Sequence, residues 1–73
     1  GQLGVDRLQP SGGLVKAGQV VKVFGRGFRE DTRLQIEEVP DIEYRYLSET
    51  EMELVAPHDF QLDQQELLVT NPE

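Results

Sequence analysis

The chain lacks cysteine, lacks any long apolar run and lacks an excess of positive charge, and each absence removes a class of function. Without cysteine no disulfide staples the fold, and no thiolate serves as nucleophile or metal ligand. That absence does not exclude an extracellular location. Without a long apolar run there is no transmembrane helix, and no charged-then-apolar leader opens the chain. Net charge is −7, from 7 Lys and Arg against 14 Asp and Glu, which disfavours contact with a bare phosphate backbone. With 73 residues the chain is one small domain of marginal stability. It reads as a domain excised from a longer multidomain protein.

The charge is unevenly spread. Residues 1–36 carry six basic and three acidic side chains, whereas residues 37–73 carry one basic and eleven acidic. Such asymmetry suits a two-signed surface that docks neighbours, although solvated strand faces also carry charge simply for solubility.

Period-2 alternation recurs and helical periodicity does not. "LGVDRLQP" reads as a short edge strand ended by Pro10. "AGQVVKVFG" is the strongest strand signal, with Val21 and Val23 on one face and Val20, Lys22 and Phe24 on the other. "RLQIEE" directs Leu34 and Ile36 inward, "IEYRYLS" alternates Ile42, Tyr44 and Tyr46 against Glu43 and Arg45, and "ELLVTN" directs Leu67 and Val69 inward. "HDFQLDQQ" reads as a loop. In "SETEMELVAP", Ser48 and Glu51 have the spacing of a helix capping box, but Met52, Leu54 and Ala56 fall at strand spacing and Pro57 follows at once. A strand is therefore expected there. Short strands about ten residues apart, with Gly and Pro between them, predict an antiparallel all-β sandwich.

The ordered residues Pro10, Gly13, Gly18, Val21, Val23, Gly25, Gly27, Phe28, Ser48, Thr50, Met52, Leu54, Ala56, Pro57, Leu67, Val69 and Asn71 cover residues 3–71 as a single domain. They resemble the pattern of the IPT/TIG domain. This chain has Ala17-Gly18-Gln19 where that family often has two glycines and a threonine. The resemblance implies an immunoglobulin-like β-sandwich of the E-set type, with about seven strands in two sheets. It also implies a non-catalytic interaction or spacer module, of the kind found in surface receptors, secreted bacterial proteins, polysaccharide-active enzymes and transcription factors. The expected location is extracellular, cell-surface or periplasmic.

"VFGRGF" invites a phosphate-loop reading because two glycines follow an apolar run. A phosphate cradle, however, needs glycines leading into a helix amino terminus, and "FREDTRLQIEE" alternates instead. The expectation is a strand end in which Gly25 and Gly27 let the chain turn, Phe28 plugs the sandwich, and Arg26 at the tip is left to meet a partner. His58 stands alone as a solvated loop residue, and the carboxylates lack calcium-loop spacing, so no metal or cofactor is expected. No base is placed near a hydroxyl in any nucleophile motif, so no catalytic residue is assigned. Ser48 and Thr50 are expected to satisfy backbone groups at a turn. Glu51 and Glu53 are expected to face solvent.

The aromatic residues carry the best binding signal. Tyr44 and Tyr46 flank Arg45, a composition typical of interfaces, although both tyrosines also suit a core or a cross-strand pair. The candidate partner-binding residues are thus Arg26, Tyr44, Arg45, Tyr46 and Phe60, with the loops 29–33 and 58–65. The expected partner is protein, either neighbouring domains or another chain, with no nucleic acid and no membrane insertion. Alternatives stay open. An accessory carbohydrate-binding domain of a polysaccharide-active enzyme would need Tyr44, Tyr46 and Phe60 as an exposed platform, the resemblance also allows a dimerisation domain of a regulator, and an enzyme would need a concave pocket with a perturbed titratable pair.

Overall fold

The computed structural model describes residues 2–73. Along the chain lie β1 (Gly4–Gln9), β2 (Leu14–Val15), β3 (Val20–Arg26), β4 (Arg33–Ile36), β5 (Glu43–Ser48), β6 (Glu51–Val55), β7 (Phe60–Gln61), a 3-10 turn (Leu62–Gln64) and β8 (Leu67–Thr70). Every strand pairing is antiparallel, and the fold is an all-β sandwich. One layer is a four-stranded sheet in the order β1-β3-β6-β5, and two ribbons, β2-β7 and β4-β8, supply the strands that cover it.

Alternation places the core. Val21 and Val23 of β3 pair with Leu54 and Met52 of β6, and all four side chains are fully buried. Leu34 and Ile36 of β4, Val15 of β2, Phe28 and Val39 close over them, while Leu67 and Val69 of β8 pack at the margin. Each such aliphatic side chain contributes about 1.5–3 kcal/mol relative to full exposure. Within the segment that could have opened a helix, Glu51–Val55 is strand, entered by a turn at 49–50, because helical geometry would have turned Leu54 or Met52 away from this core.

Two irregularities reconcile the sequence with the pleat. Val5 and Leu8 are three apart, which is out of phase for a regular strand, yet both pack on the core. The register of β1 on β3 skips Asp6, with Val5 opposite Gly25 and Arg7 opposite Phe24. The extra residue resets the alternation. A second shift on β5 skips Leu47, between Tyr46 and Ser48. Both edge strands of the larger sheet therefore carry a bulge, a feature that blunts edges against uncontrolled pairing.

The two shortest strands, β2 and β7, correct the expectation of a structureless 58–65 loop. Phe60 pairs with Val15, and Leu62 donates its N–H to the carbonyl of Gly13 at 2.8 Å. Leu62 is buried as well.

Gly25 also needs correction as a turn residue. It lies within β3 in an ordinary backbone conformation, and the reason for glycine there is space. A Cβ at Gly25 would sit 2.1 Å from the Gly4 carbonyl oxygen and 2.7 Å from the Phe28 ring. Gly27 is the turn glycine, with φ of 77° and the Gln2 carbonyl oxygen 2.9 Å from a built Cβ. Phe28 plugs the interior as expected, with 2% of its surface exposed.

Candidate interaction surface

The sequence candidates separate in space. β5 is an edge strand of the four-stranded sheet, so it presents one flank to β6 and, among the described residues, leaves the other without a strand partner. Tyr44 and Tyr46 sit on its core-facing side, opposite Leu54 and Met52. Tyr46 is half-buried against the core, whereas Tyr44 remains 38% exposed. Arg45 points to the outer face and pairs with Glu53.

Phe60 does not join them. It was expected as an exposed aromatic and is buried, because β7 turns its ring inward beside Val15. His58 lies edge-on to that ring with centroids 6.1 Å apart. Arg26 ends β3, where it forms an ion pair with Asp6 of the β1 bulge. In the 29–33 loop, Arg29 pairs with Asp31 at 2.8 Å, and the buried Thr32 hydroxyl accepts the Arg29 N–H at 2.7 Å.

The outer face of the four-stranded sheet is a charge ladder rather than a set of separate solvated groups. Lys22 reaches Glu51 at 2.9 Å and Glu53 at 3.7 Å, and Arg45 closes on Glu53 from the other side. Strand alternation predicts a solvent-facing Glu53, but it is only 8% exposed. It sits on a central strand directly between Lys22 and Arg45, whose long side chains cover it. The Lys22 ammonium is held above its ordinary pKa of 10.5, chiefly by its hydrogen bond and charge interaction with Glu51. Beside this ladder, the Arg7 guanidinium stacks 4.0 Å from the centre of the Phe24 ring.

Two carboxylates have structural work that no local pattern reveals. Asp63 accepts the Gly13 N–H at 3.1 Å, and Asp59 accepts the Ala17 N–H at 2.8 Å. Each fixes the turns around β2 to a segment more than 40 residues away. Ser48 accepts the Thr50 N–H at 3.2 Å, in line with a turn role.

A concavity lies where the sandwich is open, between the free flank of β5 and β4. It is a groove of about 570 Å³. Ile42, Tyr44 and Leu68 give it its accessible apolar surface, beside the buried Leu34, Ile36 and Val39. Glu37, Glu38 and Glu66 add three carboxylates to the lining, against the single cation Arg33. The connection from β4 to β5 shapes one wall: Val39 donates to the Ile36 carbonyl at 3.1 Å, with Glu38 at a φ of 68°. Sequence reasoning found Tyr44 but missed this groove, since its walls come from β4, β5, β8 and the connection between them.

Among the described residues, no group of three or more His, Cys, Asp or Glu could hold a metal ion. Among the same residues no helix is long and apolar enough to cross a membrane. No family model, curated protein or solved structure matches this chain.

Proposed function

We propose that this chain is an immunoglobulin-like module of the IPT/TIG type that works by binding protein within a larger, surface or secreted protein, without catalysing a reaction. The observation that carries the reading is the groove beside β5, where an exposed tyrosine, an apolar floor and a strand flank without a partner occur together. Open flanks of this kind accept extended segments of other chains through backbone hydrogen bonds.

Tyr44 favours protein over sugar as the ligand. A sugar platform would need the rings of Tyr44, Tyr46 and Phe60 side by side, and only Tyr44 is substantially exposed. Catalysis is disfavoured by the groove's composition. Its titratable groups are three carboxylates, an arginine and the Tyr44 phenol, with no histidine, serine or threonine among the lining residues.

The test is a pulldown with this chain as bait against the domains that flank it in its full-length protein. Retention of one of them supports the reading. Retention of none, at concentrations suited to weak interdomain contacts, contradicts it.

A further inference from the structure

Three observations on the groove converge on one kind of occupant. The first is the backbone of β5. Its pairing to β6 runs without interruption from Glu43 to Tyr46, and among the described residues no backbone hydrogen bond reaches this stretch from the groove side. The facing strand β4 is less available, because the Ile36–Val39 bridge folds the chain back against its end.

The second is charge. Glu37, Glu38 and Glu66 line the groove, and Asp41 and Glu43 lie on the adjoining chain. Among the described residues every ion pair lies elsewhere, on Lys22, Arg26, Arg29 and Arg45. The groove carboxylates are thus left without cationic partners. The ion-paired carboxylates of the same fold have theirs.

The third is the apolar surface between backbone and carboxylates. Tyr44, Ile42 and Leu68 form a floor suited to the methylene stems of long side chains. Lysine and arginine lay such stems on apolar surface and carry the charge beyond it, and Tyr44 adds a ring face for a cation.

We propose that this groove binds an extended basic segment of a protein partner, added as a strand to the free flank of β5. This rests on the interaction-module reading above and names its ligand. Alternate residues of the bound strand face the groove, roughly 6.6 Å apart. Lysine or arginine at those positions extends across Tyr44 toward Glu37, Glu38 and Glu66. The intervening residues lie toward the outer face, near Glu43 and Arg45.

The probe is a blocked decapeptide alternating lysine and threonine, titrated into the isotope-labelled protein and followed by NMR. Its counterpart, alternating glutamate and threonine, is the control. The proposal expects shifts confined to β5, the 37–42 connection and Leu68. It expects no response to the glutamate peptide, and binding that weakens as salt shortens the reach of charge. The combined variant Glu37→Gln, Glu38→Gln and Glu66→Gln changes only exposed residues. It should keep the spectrum of the folded protein and bind the lysine peptide roughly tenfold more weakly.

Equal binding of both peptides, an unchanged affinity in the triple variant, or no binding of either peptide overturns the proposal. So does a footprint on the Lys22–Glu53 ladder. A flanking domain captured while the groove resonances stay still would overturn the groove assignment alone. It would leave the interaction-module reading standing.

Discussion

The Asn71 side chain donates from Nδ2 to the Gly27 carbonyl at 3.0 Å, joining the chain just after β8 to the turn that follows β3. Its other atom, Oδ1, bonds the hydroxyl of the buried Thr32, so one amide satisfies groups from two separate loops. Asn71→Ala leaves the Thr32 hydroxyl short of a partner and frees the Gly27 turn. The expected loss is about 1–3 kcal/mol. In a domain of this size each kcal/mol lowers the melting temperature by roughly 4–8 °C. Thermal denaturation followed by circular dichroism measures it, and a melting temperature equal to that of the parent would contradict the role.

Gly25 and Gly18 make a controlled contrast. A Cβ at Gly25 collides with the backbone of Gly4, which has no rotamer by which to yield. A Cβ at Gly18 meets nothing within 4 Å, and only its φ of 85° resists substitution. Gly18→Ala should cost about 1–2 kcal/mol from the left-handed conformation alone. Gly25→Ala should cost about 3 kcal/mol or fail to fold, since overpacking forces β1 off β3. Denaturant unfolding of the two variants ranks them, and the reverse order would refute the close approach of β1.

The two aromatic candidates should part company in the same assay. Phe60→Ala opens a cavity beside Val15 and should cost about 3–5 kcal/mol. Tyr44→Ala removes a ring that is partly in solvent, with an expected cost near 1 kcal/mol. Similar losses at both sites would mean that β7 does not turn Phe60 inward.

Lys22 gives the pH prediction. Its pKa is raised in the folded state, so the stabilisation it brings is fully present below 10.5 and fades as pH rises through the folded-state value. Titration of the Lys22 side chain by NMR should place its midpoint above 10.5. Because Glu51 is the main cause, Glu51→Gln should lower that midpoint more than Glu53→Gln does. The opposite ranking would mean that the ladder is centred on Glu53.

The strands with a strict period were legible in the sequence. Val21 and Val23, Leu34 and Ile36, and Met52 and Leu54 each announce a buried face. What escaped had no local signature. Two residues cannot display a period, so β2 and β7 were invisible, and with them the burial of Phe60 and Leu62. Glu53 is covered because its strand is central and its neighbours are Lys22 and Arg45, a fact of strand order. Asp59 and Asp63 bond backbone far away along the chain. The groove escaped for the same reason: β4, β5 and β8 had to meet before Tyr44 had surroundings.

Amide hydrogen exchange along β5 tests strand addition most directly. With the lysine–threonine peptide bound, slow exchange should extend to amides between Glu43 and Tyr46 that exchange fast in the free protein. Exchange at β3 and β6, already inside the sheet, should change little. An unchanged exchange pattern on β5 at saturating peptide would contradict the account, since a strand cannot join that edge without occupying its backbone.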